Sequence, residues 1–325
     1  MLKIGILRGG PSEEHAVSLK TGESALSALA KKHSVSDIVL GKNGEWYLDG
    51  RPAYPEKIFR SVDAVFNALH GTFGEDGKVQ QILETYKIPY TGSGVLSSAI
   101  GMNKILSREA FAAAGLLTPR AAVIGADEPP AEFARRVLRV VGPPWVVKPA
   151  SSGSSVGISI ARDFRGMVEA VEAALAYGPK IIVEEFIEGR EATCGIVENF
   201  RGSEHYALPV IEIIPPENSD FFDYGAKYGG RTKELCPAGF DGSVKTRIED
   251  MAREAHRAVG CRHYSRADFI VSKRTRDGEP KIYILETNTL PGMTEESLLP
   301  KAINAIGVSY SDFLNHLINL ALEKD

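Results

Sequence analysis

Short apolar runs alternate with polar, helix-spaced segments along the first part of the chain. Leu2 to Leu7 reads as a buried strand ending at Gly9-Gly10, and Ser18 to Lys31 as a helix with Leu19, Ala25, Leu26 and Leu29 on one side. Val62 to Leu69 predicts a second strand, followed by the loop His70 to Gly77 and a helix from Lys78 to Tyr86. Strands alternating with helices predict a parallel, Rossmann-like sheet over residues 1–100. From about Asn103 the texture changes. A helix (Lys104 to Ala114), strands at Trp145 to Pro149, Ile158 to Ile160 and Lys180 to Phe186, and a helix from Met167 to Ala176 predict a small α+β unit over 101–190. Residues 191–325 read mainly as strands followed by a terminal helix, Tyr310 to Leu322. Asn218 to Ala238, rich in glycine and polar residues and without periodicity, reads as a long functional loop.

The most informative pattern lies in two of these strands. Tyr264 to Val271 and Lys281 to Asn288 flank Arg276-Asp277-Gly278, a hairpin turn signal. Alternation puts Glu286 and Asn288 on one face, and pairing can bring Asp268 onto it. Two carboxylates and an amide oxygen are hard ligands that suit Mg²⁺ with substrate phosphates completing the shell. The plain alternative is two exposed acids on an amphipathic hairpin. The neighbours weaken it: Arg266 faces the same way as Asp268, and the irregular turn after Asn288 holds Gly292, which can offer a backbone N–H. Metal ligands, a cation and an N–H are what an oxyanion developing beside a phosphate needs.

Composition narrows the class. The chain has 325 residues, a formal net charge of -4 and 25% charged residues, an ordinary globular profile that disfavours nucleic acid or an anionic membrane as partner. Cys194, Cys236 and Cys261 are far apart with no CxxC, which fits a reducing compartment. With no apolar run of membrane-spanning length and no signal peptide pattern, a cytoplasmic location is expected.

Other segments add candidate chemistry. Lys148 ends a strand just before Ala150 to Gly157, whose small residues offer backbone N–H groups to phosphate oxygens. There is no Walker A sequence, so a nucleotide must be held by another architecture. Ile182 to Glu191 reads as a strand running into a turn. Its Glu184 and Glu191 suit adenine and ribose, but alone they read better as exposed acids on an edge strand. Gly9 to Ser18 joins the first strand to its helix, where an acid could bind a substrate ammonium or cap the helix. His70 follows its strand in the same way and reads as a supporting residue.

Taken in order, these stretches resemble the D-alanine–D-alanine ligases of the ATP-grasp superfamily. The likeness rests on Gly9-Gly10-x-Ser12-x-Glu14-x-x-Val17-Ser18-Leu19, His70-Gly71-x-x-Gly74-Glu75-Asp76-Gly77, Tyr90-Thr91-Gly92-Ser93-Gly94, Lys148-Pro149-x-x-x-Gly153-Ser154-Ser155-Val156-Gly157, Phe222-Asp223-Tyr224-x-Ala226-Lys227-Tyr228, Cys236-Pro237-Ala238, Arg266-x-Asp268 and Glu286-x-Asn288-Thr289-x-Pro291-Gly292-Met293-Thr294. It covers nearly the whole chain and implies a three-domain ATP-grasp architecture. It also implies ATP-driven joining of two D-alanines through an acyl phosphate, for peptidoglycan precursors.

By that resemblance Asp268, Glu286 and Asn288 hold two Mg²⁺ ions, with Mn²⁺ able to substitute. Lys104, Lys148, Ser155 and Lys227 contact ATP, and Glu184 and Glu191 address adenine and ribose. Glu14, linked to Ser154 and Tyr228, receives the first D-alanine's ammonium. Arg266 and the Gly292 N–H form the oxyanion site. His70, Ser297 and Leu298 line the substrate end, Ser297 at the second carboxylate. The 218–238 loop corresponds to one that closes over the site. Tyr228 goes with a dipeptide product rather than an ester with D-lactate; another ATP-grasp carboxylate–amine ligase, such as one forming D-Ala-D-lactate or D-Ala-D-Ser, is the alternative. A homodimer is implied. Asn103 stands where an aspartate is frequent in the family, and Gly229-Gly230-Arg231-Thr232 makes that loop compact.

Overall fold

The computed structural model describes residues 1–125, 127–151, 157–215, 232–273 and 278–323. Its strands form three sheets. The first contains β1 (Lys3–Gly9), β2 (Ser34–Leu40), β3 (Trp46–Leu48), β4 (Arg51–Pro52) and β5 (Ala64–Asn67), in the order β4-β3-β2-β1-β5. The helices α1 (His15–Leu29), α2 (Pro55–Phe59), α3 (Lys78–Thr85) and α4 (Val95–Met102) accompany it. Strands β2, β1 and β5 are parallel, as expected, and β1 is a nearly continuous apolar run with Ile4, Ile6 and Leu7 wholly buried. Strands β3 and β4 add an antiparallel edge that the sequence reading passed over. Its turns carry Asn43-Gly44 and Asp49-Gly50, with positive φ at Gly44 (83°), Asp49 (49°) and Gly50 (77°). Helix α1 lies close on the sheet: a Cβ at Gly22 would stand 2.4 Å from Arg8 Cδ, and Arg8 is held bidentately by Asp37 at 2.7 Å.

The second sheet runs β6-β9-β7-β8, from β6 (Ala121–Gly125), β7 (Trp145–Pro149), β8 (Ser159–Ala161) and β9 (Lys180–Glu185), all antiparallel. Helix α5 (Lys104–Ala113) leads into it; α6 (Pro130–Leu138) and α7 (Phe164–Leu175) belong to the same stretch. Asn103 caps α5, its Oδ1 accepting the N–H groups of Ile105 and Leu106 at 3.0 and 3.3 Å. Because β9 lies between β6 and β7, the reading of Glu184 as an exposed edge acid is wrong: its side chain is buried inside the sheet.

The third sheet follows the path β13-β12-β10-β14-β15, with β11 paired to β10. Its strands are β10 (Gly189–Phe200), β11 (Ser203–Ala207), β12 (Ile211–Ile214), β13 (Lys233–Leu235), β14 (Tyr264–Ser272) and β15 (Ile282–Asn288). Helix α8 (Gly242–Val259) covers one face, and α9 (Leu298–Ala305) and α10 (Tyr310–Leu322) follow β15. Two features differ from expectation. Residues 233–235, inside the expected loop, form a strand, and α8 lies where the sequence reading saw mainly strands. The signal for α8 was present: buried Val244, Ile248, Ala252, Ala255 and Val259 recur at helical spacing, and Gly260 ends the helix at φ 71°.

Helix α10 does not pack against its own sheet alone. Phe313, Leu314, Leu317 and Ile318, all fully buried, share a core with Ile4, Ile6, Ala25 and Leu29 of the first sheet and α1. Each such side chain contributes roughly 1.5–3 kcal/mol on burial. Ser311 Oγ donates to Ala28 O at 2.9 Å, and His33 Nε2 meets Asn315 Oδ1 at 2.7 Å. A second joint ties Gly92 to the start of β14. The Gly92 N–H donates to His263 Nδ1 at 3.1 Å, Arg262 donates back to Gly92 O at 3.2 Å, and its guanidinium lies 4.9 Å from the Tyr90 ring. Among the described residues no helix is long and apolar enough to cross a membrane.

Candidate active site

Strands β14 and β15 pair so that Asp268 stands directly opposite Glu286 and Arg266 opposite Asn288. The register shifts between Asp268 and Phe269, immediately past this quartet. Arg266 grips Asp268 with two bonds, Nε to Oδ1 at 2.9 Å and Nη2 to Oδ2 at 2.8 Å. Asn288 Nδ2 donates to Asp268 Oδ2 at 3.2 Å. From β10, Thr193 Oγ1 donates to Asp268 Oδ1 at 2.6 Å. Burial works against the Arg266 charge, but Asp268, with Glu286 and Glu75 beyond it, more than offsets this and holds the guanidinium protonated above its ordinary range. The expected convergence of Asp268, Glu286, Asn288 and Arg266 is therefore present. Asp268 and Glu286 carboxylates with an Asn288 amide oxygen are an all-oxygen donor set, which fits a hard divalent cation.

These carboxylates end a cleft between the second and third sheets. Lys104, Lys148, Glu184 and Glu191 line it, and Val146, Ile160, Phe186, Phe269 and Leu285 give it apolar walls. The mixture suits a flat, partly apolar base at one end and a polyanion at the other. Lys148 Nζ lies 2.6 Å from Glu184 Oε2, and Arg108 Nη1 reaches Glu184 Oε1 at 2.9 Å. The Glu184 side chain is 3% exposed. A buried ion pair rarely repays its desolvation, so this cluster is weak evidence for stability.

A third group of residues comes from loops. Glu14 sits at the start of α1 and lies close to Gly71, where a Cβ would stand 2.7 Å from Glu14 Oε2. Gly71 adopts φ 70° and donates its N–H to Glu75 Oε1 at 2.8 Å. His70 is buried; its Nε2 meets Thr21 Oγ1 at 2.9 Å, and its carbonyl accepts the Ser12 hydroxyl at 2.6 Å. On the far side, Gly292 folds against Ser297: a Cβ there would stand 2.9 Å from Ser297 Oγ. That hydroxyl also accepts the Thr294 N–H at 3.1 Å, and Leu298 is buried behind it at the start of α9. Gly292 and Ser297 line an open groove with Lys20 and Tyr310.

Ser154, Ser155, Lys227 and Tyr228 lie outside the described residues, as do Arg276 and Asp277 of the expected turn. Three contributors were given no role from sequence. Thr193 and Arg108 act through partners far away in the chain and carry no local signal. Glu75 stood within a quoted motif, and its acceptor role toward Gly71 appears only once the loop is folded.

The chain is similar to known proteins over nearly its whole length. Residues 110–319 match the family model described as D-ala D-ala ligase C-terminus, and residues 51–93 the one described as D-ala D-ala ligase N-terminus. A D-alanine--D-alanine ligase from Syntrophobacter fumaroxidans is 43% identical over 324 residues, covering 99% of this chain and 98% of the relative. Among solved structures, the D-alanine-D-alanine ligase from Coxiella burnetii matches with a TM-score of 0.83 at 28% identity, covering 99% of this chain and 94% of that one. A D-Ala:D-Ser ligase from Enterococcus faecalis matches with the same TM-score at 30% identity, covering 98% and 99%. With matches to both family models and a full-length relative at this identity, the chain belongs to the D-alanine–D-alanine ligase family of ATP-grasp enzymes.

Proposed function

We propose that this protein joins two D-alanines at the expense of ATP, supplying the dipeptide for peptidoglycan synthesis in the cytoplasm. The observation that carries the mechanism is the quartet of Arg266, Asp268, Glu286 and Asn288 at the end of a cleft that also holds Lys148 and Glu184. A carboxylate is a poor electrophile. A carboxylate oxygen of the first D-alanine therefore attacks the γ-phosphorus of ATP, and ADP leaves. The amine of the second D-alanine then attacks the acyl carbon, loses a proton and expels phosphate. Catalysis here is positioning and charge neutralisation.

Lys104 and Lys148, with Ser155 and Lys227, take the phosphates. Glu184 and Glu191 take adenine and ribose. Asp268, Glu286 and Asn288 would hold two Mg²⁺ ions or Mn²⁺ in their place, which would neutralise phosphate charge. Glu14, with Ser154 and Tyr228, receives the first ammonium, and His70 supports that end through Thr21 and Ser12. Arg266 and the Gly292 N–H face the oxyanion, and Ser297 at the N-terminus of α9, backed by Leu298, receives the second carboxylate. We infer a homodimer as the working form and units at 1–100, 101–190 and 191–325.

The test is phosphate release from ATP and Mg²⁺ with D-alanine, beside D-serine, D-lactate and L-alanine, with products identified by mass. The D-serine arm matters because a D-Ala:D-Ser ligase matches the fold equally well. D-Ala-D-Ala as the main product is expected. A mixed product made in preference from D-alanine and D-serine, or an ester with D-lactate, would overturn the assignment.

A further inference from the structure

Two histidines and a glutamate gather behind the third sheet, on the face covered by α8 and away from the cleft. Glu198 on β10 stands directly opposite His205 on β11. The two-residue turn joining those strands, Arg201-Gly202, has φ of 50° and 79°, which fixes the pairing. His256, on α8 and 1% exposed, points into the same space. Its Nε2 is 3.1 Å from Glu198 Oε1, and donor atoms of Glu198, His205 and His256 all lie within 4.8 Å of one another. Ligands on a tetrahedral ion with bonds of about 2.0–2.1 Å stand about 3.3–3.4 Å apart, so small side-chain shifts would close the set.

The outward atoms are already held. His256 Nδ1 meets Ser265 Oγ at 2.7 Å, and Glu198 Oε2 accepts the backbone N–H of His263 at 2.5 Å. Those contacts orient Nε2 and Oε1 toward each other, as outer partners orient the ligands of a metal site. Arg257 Nη2 lies 3.5 Å from His205 Nδ1 and is the cation that opposes such an ion.

We propose that Glu198, His205 and His256 form a binding site for one divalent transition-metal ion of the Zn²⁺ class, with water as the fourth ligand. The ion would bridge α8 to the β10–β11 hairpin. It would also brace the back of β14, where Ser265 sits beside Arg266 but faces the other way. The site is separate from the oxygen-only ligands in the cleft.

The experiment uses tag-free, chelator-stripped full-length protein with its catalytic carboxylates occupied by excess Mg²⁺ and ADP. Zn²⁺ is then titrated in competition with a chromophoric chelator, and Co²⁺ is added separately to read its visible ligand-field bands. One equivalent of Zn²⁺ should bind, and Co²⁺ should give the intense bands of a tetrahedral site. His205→Gln, on the half-buried strand, should weaken Zn²⁺ at least ~10-fold, and Ser265→Ala by about 10-fold or more. Turnover of His205→Gln in metal-stripped buffer supplemented only with Mg²⁺ should equal that of the parent. Glu198→Gln provides a second ligand variant should either of the others misfold. No Zn²⁺ uptake under Mg²⁺ and ADP, or unchanged affinity in both His205→Gln and Glu198→Gln, would overturn the site.

Discussion

The two ends of the active site are built in different ways. The proposed phosphate end stands on strands: Asp268 faces Glu286 and Arg266 faces Asn288 because two antiparallel strands share a register. The proposed substrate end stands on loops: Glu14, His70, Gly71 and Glu75 meet through a positive φ at Gly71 and hydrogen bonds, two of them between residues distant in sequence. In the first, the backbone ladder fixes where every side chain goes, and a slip of one residue in β15 would turn Glu286 and Asn288 away from Arg266 and Asp268. In the second, each position depends on its neighbours one at a time. Loss of Arg266 at the strand end should strike chemistry more than binding, whereas damage at the loop end should loosen binding first.

The sharpest test is Arg266→Ala. It removes the proposed oxyanion donor and leaves the ladder intact, so kcat should fall by about 10²–10³-fold while ATP affinity, read by calorimetry, changes little. A comparable loss of ATP affinity would erase the distinction.

The joint between the two ends gives the next largest effect, and it depends on pH. Neutral His263 accepts the Gly92 N–H at Nδ1. Burial, followed by the nearby Arg262 charge, pushes its pKa down from 6.5 to about 4. As pH falls below 6.5 the unfolded chain takes up the proton first, so this contribution to stability is intact above 6.5 and is lost progressively down to 4. The loss should approach about 3 kcal/mol. Urea melts across that range, with a chelator present, should show the slope, and His263→Gln should flatten it.

Gly71→Ala probes the loop end. The new methyl meets Glu14 Oε2 at 2.7 Å, at a φ of 70° that side chains rarely adopt. A stability loss of about 1–3 kcal/mol is expected, with KM for the first D-alanine rising more than kcat falls. An unchanged KM would remove Glu14 from the ammonium site. Smallest is Asn103→Ala, which should cost about 1 kcal/mol through the lost cap of α5, whereas Asn103→Asp should restore the cap and leave the melt unchanged.

The same contrast explains what could be read from sequence. Strand alternation and a turn signal were enough to bring Asp268, Glu286 and Asn288 together, because the period of two is local information. Helix α10 was legible to its boundaries for a similar reason: Ser309 caps it, accepting the Asp312 N–H at 3.1 Å, just before an apolar repeat. The roles of Thr193 and Arg108 were not legible, since each reaches a partner 75 or 76 residues away. Glu184 was misjudged because strand order within a sheet is not local either. Helix α8 is different again, since its helical period is local and present in the sequence.

The seating of Phe313, Leu314, Leu317 and Ile318 against α1 and β1 bears on how the protein comes to exist. The two surfaces meet across a sequence separation of 283 residues, as between Ser311 and Ala28. At about 5–20 residues per second, a ribosome needs roughly a quarter of a minute to a minute to span that distance. For that interval only α1 covers the face of the first sheet that α10 later seals. The packing of this face is completed only once residues 311–318 have emerged.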